Sequence, residues 1–379
     1  MKNRIKNSIT HNDLLIVLFT GGATGGHLYP AIAIAEEISK NENCVIGFAG
    51  SRKGIESRVI PEKGYRFYPV WISGIQRGKI ISNLLLPLKI VVSLIQALII
   101  ILTFKPHIIV GTGGYVSWPV LAAGIMLRKK IVIQEQNQFP GLVTRLIAPF
   151  ANSVHLSYKS STQYFKRKSD ILISGNPTRR DLENKNPEES YKFFQLDANK
   201  ITLLILGGSQ GSLFINKMII QYLPILLKES ELQILWSTGE NWYEWIKKET
   251  GESARIKILP YIREIGSAYT VCDLIICRAG ATTIAEITRM GIPAVFIPLS
   301  TSAAGHQIFN AQMLAEAGAA EMIMENEVDD KFIKVIHSLL KDKNKREKMG
   351  EKAKDFSRPG AAKTIVSDIL KEIKDGKKS

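Results

Sequence analysis

Two groups of residues in this chain have types and spacing suited to chemistry. In Cys277-Arg-Ala-Gly-Ala-Thr-Thr-Ile-Ala-Glu286, an apolar run from Asp273 to Cys277 breaks at Gly280, and the small residues Ala281, Thr282 and Thr283 open a helix. Such a start presents main-chain N–H groups and the positive end of a helix dipole, a seat for a phosphate or diphosphate. One turn further in, Glu286 is placed to accept hydrogen bonds from two neighbouring hydroxyls of a sugar. Gly291-Ile-Pro ends this helix, and Ala294 to Leu299 supplies the next strand. Together these residues describe a nucleotide-sugar site. A strand–turn–helix with a capping Thr and no ligand is the alternative they leave open. The second group is Thr20-Gly-Gly-Ala-Thr-Gly-Gly-His27, a glycine loop ending in a histidine. There His27 is either a base facing a cleft or a satisfied cap.

Two similar sets of elements must position these groups. Leu14 to Phe19 reads as a strand and Leu28 to Ile38 as a helix, with Pro30 in its tolerant first turn. The loop between them departs from G-x-G-x-x-G, which counts against a dinucleotide fingerprint. Cys44 to Gly50 and Phe67 to Ile72 are further strands, separated by a polar helix or loop, Arg52 to Lys63. His107 to Ser117 repeats the strand, glycine loop and helix plan. Lys130 to Asn137 is a strand ending in four polar residues at the edge where such sheets bind ligands. Ser153 to Tyr158 and Ile171 to Ser174 close this half, and the polar stretch Glu183 to Asn199 is an interdomain linker. Beyond it, Ile201 to Leu206 and Gly207-Gly-Ser-Gln-Gly211 open a second half, with strands at 233–237, 256–259, 274–277, 294–297 and 321–324. The expected architecture is α/β, two Rossmann-like doubly wound domains facing across a cleft, spanning 1–178 and 179–379. The last helix, about 361–373, is expected to pack back on the first domain.

Length and composition agree with this division. A chain of 379 residues suits two domains of roughly 150–200 residues, and its 45% apolar content is enough for buried sheets. Three cysteines without metal or redox spacing imply free thiols in a reducing compartment. The basic N-terminus lacks the apolar stretch of a signal peptide. A formal charge of +15 fits nucleic acid, an anionic membrane surface or phosphate-bearing substrates. Basic residues are scattered rather than interleaved with aromatics, so nucleic acid is not expected as a partner.

The most apolar stretch runs from Ile75 to Phe104. With Asn83, Pro87 and Lys89 interrupting it, about fifteen residues remain before Lys105, short of the roughly twenty a bilayer span needs. The expectation is a mostly buried helix. Its exposed front, with Ile75, Leu84 and Leu85 near Arg77, Lys79 and Lys89, either dips into an anionic membrane or packs in the core.

Several chemistries are excluded by what the chain lacks. There is no H-E-x-x-H, no paired-carboxylate pattern, no P-loop and no G-x-S-x-G elbow, and the six histidines are dispersed. No metal and no cofactor is expected. Diphosphate leaving-group chemistry, stabilised by a helix start, is the enzyme reading that remains.

Seven stretches, in order along nearly the whole chain, resemble the MurG family. They are Gly21-Gly-Ala-Thr-Gly-Gly-His27, Gly111-Thr-Gly-Gly-Tyr-Val-Ser117, Glu135-Gln-Asn137, Gly175-Asn-Pro-Thr-Arg179, Gly207-Gly-Ser-Gln-Gly211, Cys277-Arg-Ala-Gly280 with Glu286, and His306-Gln307 before Asn310-Ala311. That family transfers N-acetylglucosamine (GlcNAc) from UDP-GlcNAc to lipid I, undecaprenyl-pyrophosphoryl-MurNAc-pentapeptide. The resemblance implies a GT-B fold with the donor mainly on the C-terminal domain. By matching position it places Thr24, Gly25 and Gly26 near the diphosphate or acceptor, and Asn137 close to the sugar. It brings Arg179 and Ser209 to the donor, and the Ile262 backbone to uracil. Ala281, Thr282 and Thr283 would meet the phosphates, Glu286 the ribose, and His306 and Gln307 the sugar. His27 would be the base. The implied partners are UDP-GlcNAc, a lipid-linked acceptor, an anionic inner-membrane surface at its cytoplasmic face, and cell-wall synthesis proteins. Another GT-B glycosyltransferase, a UDP-GlcNAc 2-epimerase and a non-catalytic nucleotide-sugar or nucleic-acid binder are the alternatives. Ala23 stands where the family loop more often has Gly, Gln134 where some members have His, and Ser300 to Gly305 lacks the family's acidic residues.

Overall fold

The computed structural model describes residues 14–40, 43–74, 84–166, 170–182, 185–251, 253–302 and 305–375. Two compact units result, one from residues through 135, 140–174 and 360 onward, the other from 136–139 and 175–359.

In the first unit seven strands form one parallel sheet. They are β1 (Leu15–Thr20), β2 (Cys44–Ser51), β3 (Arg66–Val70), β4 (Ile108–Gly111), β5 (Lys130–Glu135), β6 (Ser153–Leu156) and β7 (Ile171–Ile173), in the order β3-β2-β1-β4-β5-β6-β7. The central strands are buried on both faces, which is why they read as unbroken runs of Val, Ile, Leu and Phe. One face packs on a core with Val17, Phe19, Leu28 and Ile34, the other on a core with Leu18, Ile109, Val120 and Ile131.

The second unit repeats the pattern with β8 (Ile201–Leu206), β9 (Leu232–Ser237), β10 (Ile256–Leu259), β11 (Leu274–Cys277), β12 (Ala294–Phe296) and β13 (Glu321–Met322), ordered β10-β9-β8-β11-β12-β13. Both units are therefore Rossmann-like α/β sheets whose order reverses at one internal point, between β1 and β4 and between β8 and β11. Thr20 pairs with Gly111 and Leu206 with Cys277, so within each unit the paired strand ends bring two glycine loops side by side.

The last helix, Ala361–Asp375, belongs to the first unit. Its Ile365, Val366 and Ile369 enter the core of β1 and the Gly25–Ile38 helix. A polar latch sits beside them: Asp368 Oδ2 accepts from Ser153 Oγ at 2.5 Å and from the fully buried His155 Nε2 at 3.0 Å. Burial opposes ionisation of Asp368. The His155 and Ser153 bonds, aided by the His155 and Lys371 charges, outweigh it and hold the carboxyl below its ordinary range.

One expectation needs correction. The apolar stretch forms a single 19-residue helix, Leu86–Phe104, and is not mostly buried. Pro87 sits in the first turn, where its missing N–H is harmless, and Lys89 does not break the helix. By length and composition the helix is long enough to cross a membrane. Yet it connects two strands of one sheet, and Ser93, Ala97, Ile100, Ile101 and Phe104 pack inward on that sheet's core. On the opposite face Leu88, Val91, Ile95, Ile99 and Leu102 are exposed, Leu102 by 58%. Only one stripe of the helix reaches the sheet, whereas apolar residues continue around the whole circumference. Leu84 and Leu85 are exposed as well, and Ile75 lies outside the described residues. Six strands also end earlier than expected: β3 at Val70, β5 at Glu135, β6 at Leu156, β7 at Ile173, β12 at Phe296 and β13 at Met322.

Candidate active site

In the second unit, the helix Ala281–Met290 starts directly after β11. Its N-cap is Gly280, which has no side chain to fold over the first turn, so no threonine caps this start. Ala281 and Thr282 are buried at the tip of the sheet, and Gly291 closes the helix at φ +67°.

Glu286, 3% exposed, accepts through both of its oxygens. Its Oε1 accepts from Arg179 Nε at 3.0 Å and its Oε2 from the Tyr269 hydroxyl at 3.0 Å. Burial first, then the adjacent Glu286 carboxylate, push the Tyr269 phenol well above its ordinary value, so it remains a donor. Thus Arg179 and Glu286, 107 residues apart, meet, and Tyr269 joins them without any motif having marked it.

Arg278, also buried, ties the surrounding loops together. Its Nη2 donates to Ser212 Oγ at 2.9 Å and lies 2.7 Å from Glu325 Oε1, while Nη1 donates to the Ile297 carbonyl at 3.0 Å. The guanidinium stacks over Phe214, and Ser212 caps the Leu213–Leu226 helix at Ile215 N–H. Through Ser212, Arg278 fixes the end of the glycine loop on which Ser209 is exposed. Ile262 is buried in the loop after β10. His306 and Gln307 open the helix His306–Glu316, and Gln307 Oε1 accepts from Leu299 N–H at 3.0 Å, which leaves its NH2 end as a donor. Asn310 on that helix accepts from Gln138 N–H at 3.2 Å, joining the segment with Asn137 to this unit.

In the first unit, the loop after β1 carries Thr24 exposed, Gly25 buried, and Gly26 and His27 half-buried. Thr24 is the N-cap of the Gly25–Ile38 helix, and His27 lies in its first turn. His27 Nδ1 is 3.1 Å from the Thr112 carbonyl oxygen, and Thr112 Oγ1 donates back to the His27 carbonyl at 2.8 Å. Because a carbonyl only accepts, the neutral ring carries its proton on Nδ1 and its acceptor lone pair on Nε2. Gly114, at φ +80°, lets the second glycine loop approach closely: a Cβ there would stand 2.8 Å from the Gly22 oxygen and 3.2 Å from the His27 ring.

Comparison with known proteins decides the family. Residues 16–156 match the glycosyltransferase family 28 N-terminal domain and residues 202–365 the glycosyltransferase family 28 C-terminal domain. A protein of Chlorobaculum tepidum is 41% identical over 360 residues, covering 93% of this chain and 98% of its own length. Another, of Salinibacter ruber, is 39% identical over 355 residues, 93% and 96% respectively. Both are named UDP-N-acetylglucosamine--N-acetylmuramyl-(pentapeptide) pyrophosphoryl-undecaprenol N-acetylglucosamine transferase. The chain belongs to the MurG family. Among solved structures, MurG of Acinetobacter baumannii superposes with a TM-score of 0.72 at 26% identity, over 94% of this chain and 99% of that one.

In this MurG-family chain the motifs supply both members of the Arg179–Glu286 pair and of the His27–Thr112 pair. Tyr269 and Ser212, which hold Glu286 and Arg278, lie outside every one of those motifs. Tyr269 sits in the helix Ile265–Thr270 and Ser212 caps the Leu213–Leu226 helix, and only the fold brings each to its partner.

Proposed function

We propose that the chain is an inverting, metal-independent glycosyltransferase that moves GlcNAc from UDP-GlcNAc to the MurNAc C4 hydroxyl of lipid I. The acceptor oxygen forms a bond to C1 of the sugar as the bond from C1 to the UDP oxygen breaks, giving a β(1→4) disaccharide and UDP. The amides of Ala281, Thr282 and Thr283 take the diphosphate, where negative charge grows on the leaving group. Arg179 and Ser209 add donors to it, and Thr24, Gly25 and Gly26 lie near the diphosphate or the acceptor. Glu286 accepts from the ribose hydroxyls, and the Ile262 backbone reads uracil. Asn137, His306 and Gln307 contact the sugar. His27, with its acceptor lone pair on Nε2, removes the C4 hydroxyl proton.

The observation that carries this reading is the uncapped start of the Ala281–Met290 helix with Glu286 one turn beyond, held by Arg179 and Tyr269. Supporting it is 41% identity to a transferase named for this reaction. The test is incubation of purified protein with UDP-GlcNAc and lipid I, followed by product analysis. Lipid II and UDP are expected in equal amounts. Release of a 2-epimer without acceptor, or transfer only to other acceptors, would replace the reading.

We place the enzyme at the cytoplasmic face of the inner membrane as a peripheral protein. Leu84, Leu85 and the stripe from Leu88 to Leu102, with Lys89 beside them, supply apolar area and positive charge for an anionic surface.

A further inference from the structure

We propose that Glu56 is a positioning residue for sugar transfer, its carboxylate holding the Thr20–His27 loop in the shape that presents the base; the kinetic part of this inference rests on the reading of His27 given above. Glu56 opens the short helix Glu56–Glu62, within the polar segment Arg52 to Lys63, and belongs to none of the seven family stretches. It is nonetheless 1% exposed. Its Oε2 accepts from Ala23 N–H at 3.0 Å, and its Oε1 accepts from Ser51 N–H at 2.9 Å. Ala23 has φ +66°, a left-handed conformation that a residue with a Cβ keeps only when its surroundings enforce it. The bond from a buried carboxylate to the Ala23 amide supplies that enforcement. One residue later, Thr24 occupies the N-cap position of the helix that carries His27, so the direction of the loop at Ala23 sets where the imidazole begins.

Two details make the carboxylate specific. Cβ atoms at Gly22 and Gly54 would lie 2.5 and 2.3 Å from carboxylate atoms of Glu56, so both loops are shaped around it. Both its oxygens accept from main-chain N–H groups. An amide in its place must turn an NH2 toward one of those donors, leaving that donor unsatisfied. Glutamine is therefore a near-isosteric probe that removes one bond without emptying the site.

The experiment compares wild type, Glu56→Gln, Ala23→Gly and the double variant in lipid I turnover with UDP-GlcNAc, and in hydrogen exchange at the residue 23 amide. Glu56→Gln is expected to lower kcat by about ten- to a hundredfold, the scale of a small misplacement of a catalytic group, with KM for UDP-GlcNAc unchanged. Exchange at residue 23 quickens in the same variant. Adding Ala23→Gly restores much of the turnover, because glycine takes a positive φ without a holding bond. Unchanged exchange and kcat in Glu56→Gln would overturn the inference. So would a loss in thermal stability alone with kcat intact, or a double variant no more active than Glu56→Gln. Failure of the base reading looks different: His27→Ala would retain turnover, with exchange at Ala23 as in wild type.

Discussion

Arg179 Nε donates to Glu286 Oε1 at 3.0 Å, within a site where the carboxylate is almost wholly shielded from water and the Tyr269 hydroxyl holds its other oxygen. Two donors fix the carboxylate plane before any ligand arrives. Tyr269→Phe removes one hydrogen bond to this buried carboxylate, at a cost of about 1–3 kcal/mol. Calorimetric titration with UDP should show weaker binding by about five- to a hundredfold, with kcat at saturating donor close to wild type. Unaltered UDP affinity would remove Tyr269 from the donor site.

The Ser153–His155–Asp368 latch gives a pH signature. Because the folded-state carboxyl lies below its unfolded value, the latch contributes stability that is fully present above the unfolded carboxylate pKa, about 3.9, and is lost as pH falls through the folded value. Asp368→Asn should lower stability near neutrality by about 1–3 kcal/mol. Melting temperatures recorded from pH 7 to pH 2.5 should converge with wild type in acid. A gap that stays constant with pH would show that Asp368 contributes packing and not charge.

The exposed stripe on the Leu86–Phe104 helix predicts vesicle binding. Ile95→Ser with Ile99→Ser removes two apolar side chains, each worth about 1.5–3 kcal/mol when fully buried, so cosedimentation with anionic vesicles should fall by tenfold or more. Thermal stability should hold, since both side chains face outward. Sedimentation equal to wild type would move the membrane contact elsewhere.

Much of this architecture was readable before any coordinates. β1, β4, β8 and β11 are buried on both faces, so hydrophobicity alone marks them, and a glycine loop follows each. The exposed face of the 86–104 helix is not legible in the sequence, because the identity of an apolar residue does not tell which side of a helix meets the sheet. Only the packing of Ala97 and Ile101 reveals it. Site motifs were visible as local runs such as Thr20 to His27. Which residues meet is not legible there: Glu56 lies 33 residues from Ala23, and Thr112, itself in a motif, lies 85 from His27. Such pairings arise from parallel strand order, which places loops distant in sequence at neighbouring strand ends.

His27→Ala separates chemistry from binding. Loss of a general base should lower kcat by about 10²–10⁴-fold while UDP affinity stays within error of wild type. Equal losses in both would assign His27 to loop structure.

A crystal structure with bound UDP-GlcNAc puts the whole assignment to one observation. The diphosphate oxygens should lie within hydrogen-bond distance of the Ala281, Thr282 and Thr283 amides, with the ribose hydroxyls on Glu286. Density for the nucleotide anywhere else, with that helix start empty, would contradict it.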